Sequence, residues 1–483
     1  MLLRQTILYL PAQLVGPIFQ FIAVVAWTHY LSPEGMGIFA LVTATQELAY
    51  TATLFWFTLY TVRYHDIAGD AQARRTFLDS ETAVILSSAL ASVALVLGLK
   101  FTVETQWSGS LVLAGIAYIT SRAVVSHLGD RARTEHDTFT YSALQTVWPV
   151  LGLGLGLLFV RLWGASAAAV LWGYSAAQII SISIALMRME IGLHPFNVSR
   201  SIVGHALRYG VPLVGGGIFI WIANNGLRFI VEHFEGAVAV GLITVGWALG
   251  LRAANFASML VTAAAFPLAV KRARESGMAE GQLQLERNGV LLLIVLLPAT
   301  VGLWLVAGPF VTLVVAEPFR EMTKAVLPMA LLAGTLRGFR VHFGEQVYLL
   351  REQPMIPLYN DLLDAVLSLL GCGLGLWWGG LPGSVTGVAV AAFVSMVVTL
   401  GYGWHWYRFA LPLTDGLKAV GATAVMAFAV SRLTVDPTVF SIGFAALIGA
   451  IVYALAITAL YPQGVRQILD VMRRRGAVRV EET

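Results

Sequence analysis

A chain of 483 residues that is 58% hydrophobic and 12% charged, with a mean hydropathy of +0.76, lies outside the range of soluble globular proteins. One cysteine, Cys372, leaves no internal disulfide, and no Cys/His cluster suggests a metal. No P-loop pattern is present, so neither direct ATP use nor any cofactor is expected, and the net charge of +4 needs no nucleic-acid partner to explain it.

The elements are predicted from apolar windows of about 20 residues, the length that crosses roughly 30 Å of hydrocarbon. The opening "MLLRQTILYLPAQLVGPIFQFIAVVAW" is too long and lacks the small-residue site of a cleaved signal, so it reads as a retained first span near 7–30. Further spans follow near 37–61, 80–101, 109–129, 143–161, 164–187, 205–231, 237–268, 285–308, 323–349, 356–379, 383–404, 413–432 and 437–461. The expected fold is therefore an all-α integral membrane protein of about 14 helices. Continuous apolar runs exclude a barrel of alternating strands, and the short connections leave no room for a soluble domain.

Loop charge supports this register. With the N-terminus inside, 19 Lys and Arg fall in cytoplasmic segments against five outside, which predicts both termini in the cytoplasm. The region "YLPAQLVGPIFQFIAVVAWTHYLSPEGMGIFALVTA" lines up loosely with "YGVPLVGGGIFIWIANNGLRFIVEHFEGAVAVGLITVG", and an even number of helices separates them. Two parallel six-helix lobes are thus expected, at 1–190 and 205–410, joined by a cytoplasmic linker at 191–204. A helix pair at 411–462 and a basic tail at 463–483, suited to anionic lipid, complete the chain.

The phrase "LSPEGMGIFALVTA" after the first helix resembles the pattern of the Wzx-like polysaccharide-biosynthesis flippases of the multidrug/oligosaccharidyl-lipid/polysaccharide (MOP) exporter superfamily. So does "GEQVYLLREQPMIPLYNDLLDAVLSLLGCGLGLWWGGLPGSVTGVAVAAFVSMVV", where two helices join through a glycine-rich turn. The segment "FWFTLYTVRYH" departs from the family's small, glycine-bearing end of helix two. The resemblance implies a V-shaped transporter of two lobes in the bacterial inner membrane. It also implies a polyprenyl-diphosphate-linked oligosaccharide as cargo, with polysaccharide polymerase or glycosyltransferases as partners.

Seven basic residues fall within predicted spans: Arg122, Arg208, Arg228, Arg252, Arg337, Arg340 and Lys418. Each costs about 2.5 to 3.5 kcal/mol at a helix centre, so such residues face a bundle interior or wet cavity. Arg208, Arg228 and Lys418 are near enough to helix ends to snorkel. Arg337 and Arg340 are spaced i, i+3, as are Asn225 and Arg228, which puts each pair on one helical face. Guanidinium binds phosphate bidentately, so Arg252, Arg337, Arg340, Arg228 and Arg122 are candidates for holding a diphosphate. A structural salt bridge of Arg340 with Glu345 or Asp361 is the competing account.

Glu47 lies inside helix two with no basic residue of that helix at its depth, and with Glu345 it is a candidate for ion coupling. Asn225 and Trp247 are candidate polar cavity residues, although Trp148, Trp221 and Trp247 are equally suited to packing. His127 and His342 read as satisfied polar residues. The expected function is a flippase of alternating access, not an enzyme. The alternatives are a multidrug cation antiporter of the same superfamily, and a membrane polymerase or ligase acting on lipid-linked sugars.

Overall fold

The computed structural model describes residues 2–64, 71–102 and 107–461, with the side chains of the first thirteen residues and of 102, 260 and 262–264 outside that description. The basic tail at 463–483 thus lies outside the described residues. All regular structure among them is helical: α1 (Leu2–Thr28), α2 (Pro33–Thr53), α3 (Phe55–Tyr64), α4 (Ala71–Thr102), α5 (Gly109–Thr134), α6 (Thr138–Trp163), α7 (Ala167–Leu186), α8 (Arg200–Ser276), α9 (Met278–Leu305), α10 (Ala307–Val314), α11 (Glu317–Phe339), α12 (Gln346–Leu350), α13 (Met355–Tyr407), α14 (Leu413–Ser431) and α15 (Val439–Leu460).

Nine of these are long and apolar enough to cross a bilayer, and the α2/α3 pair, bent by 51°, makes a tenth. Two exceptionally long helices each hold two spans, which brings the ten to twelve, and α1 and α11 lie at two further expected spans. In α8 the backbone breaks at Gly236 (φ 78°), and in α13 it breaks at Gly379 and Gly380 (φ 59° at the latter), so each is two arms joined by glycine. Positive φ is costly for any residue with a Cβ, which is why glycine occupies the break. The fourteen-helix count is consistent with this architecture.

Helix starts follow from local chemistry. Ser32, Ser108, Ser166 and Thr438 each accept the backbone N–H three residues on, capping α2, α5, α7 and α15, and Pro33 opens α2 where its missing N–H costs nothing. The expected helix over 323–349 is interrupted. After Phe339 the chain makes a π-helical turn, Arg340–Gly344, before α12 resumes, so Arg340 opens that turn directly after the helix that carries Arg337.

The chain packs as two compact units. The first holds residues through Arg252 together with Val315–Val326 and Met355–Ser395. Small residues bring its helices to backbone contact: a Cβ on Gly37 of α2 would collide with the Ala237 carbonyl of α8, and one on Gly241 with the Pro33 carbonyl. The two arms of α13 meet likewise, Gly371 against Gly387 and Gly375 against Gly383. Between α3 and α4, Leu54, Phe57, Phe77 and Leu78 form a buried apolar cluster.

The second unit holds Ala253–Val314, Leu327–Pro354 and the chain from Met396. There α14 and α15 pack beside α9 through Val306, Met426, Val430 and Ala445. Of α15 only Ala445 and Gly449 are buried, while Phe440, Phe444, Leu447 and Leu455 point outward, the pattern of a helix bathed in lipid.

Candidate functional site

The first unit holds two adjoining pockets that make one cavity by sharing Gln46, Glu47 and Arg122 in their walls. The inner one, about 170 Å³, is lined by Gln20 of α1, Gln46 and Glu47 of α2, Tyr118 and Arg122 of α5, Trp148 of α6, Tyr174 of α7, and Arg228, Thr244 and Arg252 of α8. The outer one, about 320 Å³, shares Gln46, Glu47 and Arg122 and adds Tyr50, Ser126, Trp221 and Asn225.

Glycine shapes the inner wall. Gly152 and Gly156 of α6 leave room for the rings of Tyr174 and Trp27, which any Cβ there would strike. The Trp27 indole donates to the Tyr174 hydroxyl at 3.4 Å, and Trp148 and Tyr118 close around the same tyrosine. This aromatic lining is rigid and amphipathic, and Trp148 turns its face to Arg122.

The cations are held individually. Arg122 lies with its guanidinium carbon 4.1 Å from the centre of the Trp148 ring and donates to Ser126 at 3.0 Å. Arg228 donates to the Asn225 side-chain oxygen at 2.7 Å, and the Asn225 amide nitrogen donates to Glu47 at 3.0 Å. Arg252 donates to Gln20 at 2.9 Å. Three guanidiniums against one carboxylate leave an excess of two positive charges in the lining. Arg228 Nε, Trp148 Nε1 and Thr244 Oγ1 are buried without a hydrogen-bond partner among the described residues. Unsatisfied buried donors are rare, and here they add to a wall that matches an oxygen-rich anion.

Five of the sequence candidates, Arg122, Asn225, Arg228, Arg252 and Glu47, therefore come together on one cavity. Arg228 reaches into it instead of snorkelling toward a helix end. Glu47, without a cationic neighbour on its own helix, meets its cations on α5 and α8. Trp247 is completely buried, and its indole donates to the Asn224 carbonyl at 3.0 Å, so it packs behind the wall.

Arg337, Arg340 and Glu345 belong to the second unit. Arg340 and Glu345, both buried, form an ion pair at 2.6 Å across the π-turn, the structural alternative read from the sequence. That pairing gives Glu345 a fixed cationic neighbour.

Sequence reasoning missed Gln20, Gln46, Tyr118 and Thr244. Polar residues inside "GPIFQF" and "TATQEL" were the available signal, since an amide in a span needs a partner. It also placed Arg131 among the cytoplasmic-side charges without anticipating its partners. Arg131 is buried and bonds Glu81 at 2.6 Å, while Glu81 also meets His127 at 2.9 Å.

The family profile described as "Polysaccharide biosynthesis protein" matches residues 2–272. Comparison with curated proteins gives no match. Among solved structures, the fold is similar to that of the "Lipid II flippase MurJ, inward closed conformation", with TM-score 0.74, 13% identity, 95% of this chain and 100% of that one covered. It is also similar to a multidrug resistance MATE family transporter of the MOP superfamily in its inward-facing conformation (TM-score 0.61, 14% identity, 82% and 97% covered). A third similar structure is a point mutant of the Vibrio cholerae MATE transporter VcmN (TM-score 0.55, 15% identity, 87% and 96% covered). A multi-pass helical membrane chain with this fold, matched by that profile over more than half its length, belongs to the polysaccharide biosynthesis protein family.

Proposed function

We propose that this protein carries a polyprenyl-diphosphate-linked oligosaccharide from the cytoplasmic to the periplasmic leaflet of the bacterial inner membrane, by alternating access of two lobes, for surface or exopolysaccharide synthesis. The observation that supports it most is the excess of two positive charges contributed by Arg122, Arg228 and Arg252 against Glu47. A diphosphate brings the complementary charge and enough oxygens for forked guanidinium donors. Drawing those oxygens through low dielectric is costly unless fixed donors replace their water. Glu47, held by Asn225, keeps part of this charge balanced in the unloaded cavity and is the candidate for ion coupling.

The same polarity weighs against export of cationic drugs, which the cavity would repel. The test is translocation of a polyprenyl-diphosphate oligosaccharide in liposomes containing only this protein, with and without an imposed membrane potential. Protein-dependent movement that Arg252→Ala abolishes is the expected result. A cationic dye moving in its place, with the lipid staying in its leaflet, overturns the reading in favour of the antiporter.

A further inference from the structure

Between Leu186, the last residue of α7, and Arg200, the first of α8, the chain runs without helix for thirteen residues, yet it is firmly fixed. Four consecutive positions in the first half of α4 serve this. Asp79 accepts the His194 N–H at 3.0 Å and the Asn197 side-chain amide at 3.4 Å, Ser80 accepts the Ser199 N–H at 3.0 Å, and Thr82 donates to the Gly192 carbonyl at 3.2 Å. Glu81, between them, points inward to His127 and Arg131, and Arg131 in turn donates to the Glu190 carbonyl at 2.8 Å. Gly192 lies so close to the Leu78 and Asp79 backbone that a Cβ would collide. A buried ion cluster anchoring a loop is an expensive arrangement, and it makes this segment a rigid strap.

The strap turns its small and slender residues inward, with Met189 and Gly192 buried. It turns its large apolar ones out: Met187 is 84% exposed, Leu193 75% and Phe196 99%. Apolar side chains held outward on a fixed backbone mark a contact surface. Its depth is set from two sides. The strap is bonded to α4 where the last acids, Asp79 and Glu81, give way to the apolar run from Ala83, and it begins where the apolar run of α7 stops. Basic residues surround it. Arg75 and Arg200 are exposed, Arg74 pairs with Glu190 at 2.7 Å, and Arg188 pairs with Asp137 at 3.3 Å while covering the exposed Phe139 ring at 4.9 Å.

From this placement we infer that the strap over residues 187–199 is a membrane-surface anchor. It sits in the headgroup layer of the leaflet on the Lys/Arg-rich side, with Leu193 and Phe196 inserted at the acyl boundary and Arg75, Arg188 and Arg200 on anionic phospholipid headgroups. Apolar insertion combined with basic flanks is the chemistry of an interfacial anchor, and long Arg stems reach headgroups while their carbons stay in the apolar zone.

The test uses the full-length chain with Cys372→Ser, in nanodiscs of phosphatidylcholine with or without phosphatidylglycerol. A nitroxide is attached at Leu193→Cys or Phe196→Cys, with exposed Gln72→Cys as the aqueous reference. Collision with oxygen several-fold above that with a water-soluble nickel complex at 193 and 196, reversed at 72 and enhanced by phosphatidylglycerol, is expected. Nickel accessibility at 193 and 196 equal to that at 72 overturns the anchor and makes the surface one for a cytoplasmic protein. If the cysteine variants are not monodisperse, a membrane-restricted photolabel on the unmodified chain decides. Labelling of the 187–199 peptide supports the inference, and its absence with labelled spans overturns it.

Discussion

The side-chain amide of Asn225 donates to the carboxylate of Glu47 across 3.0 Å, linking the first arm of α8 to α2. Because the same amide accepts Arg228 through its oxygen, its orientation is fixed by chemistry at both ends. Asn225→Asp reverses that logic by setting a second carboxylate against Glu47. Transport by this variant is expected to fall about tenfold or more, the scale of one lost charged hydrogen bond, with membrane abundance unchanged. Flippase assays normalised to purified protein measure it, and Glu47→Gln combined with Asn225→Asp is expected to recover part of the loss.

Arg252 donates to Gln20 with one nitrogen and lines the cavity. Arg252→Lys retains the charge and loses the fork. The expected order of transport is therefore wild type, then Lys, then Ala, with about a tenfold step between the first two. Equal activity of Lys and wild type means that charge alone matters there. Gln20→Ala is expected to have a smaller effect than either, since it releases the guanidinium without removing it.

Helix content and the glycine-broken hairpins were legible in the sequence, as was the presence of buried cations, because lipid allows few places for a charge. Gln20 and Gln46 were not, since a single amide in an apolar run does not say which neighbour it satisfies. The sequence left the partner of Arg340 open, because an apolar run does not announce a π-turn, and it is that turn which brings Arg340 to Glu345. The partners of Arg131 were not legible because positive-inside counting assigns a side and says nothing of burial, and this buried residue bonds Glu81 and Glu135.

The Arg340 and Glu345 pair gives a stability prediction that separates it from transport. Removing one member leaves a buried charge exposed to low dielectric, so Arg340→Ala is expected to destabilise by about 3 to 5 kcal/mol. Arg340→Met with Glu345→Leu, which removes both charges and keeps volume, is expected to be milder than either single change. Thermal unfolding of the purified variants in detergent reads this directly. A double variant as unstable as the singles means that the partners of these residues beyond the pair dominate.

At Gly37 the constraint is steric. Any side chain meets the carbonyl of Ala237, which belongs to a helix backbone and has nowhere to rotate. Gly37→Leu is expected to lower stability by about 1 to 3 kcal/mol or more, the usual penalty of overpacking, and to broaden the size-exclusion profile. Gly98→Leu, on α4 where no atom lies within 4 Å of the added Cβ, is the matched control and is expected to behave as wild type.

The hairpin of α13 bears on biogenesis. Gly371 meets Gly387 and Gly375 meets Gly383, so the arms recognise each other through residues that emerge from the ribosome almost together. Contacts so local in sequence close with little loss of chain entropy. The pair is thereby equipped to enter the bilayer as one preassembled element, its turn at Gly379 and Gly380 following the first arm across, before α14 and α15 are made.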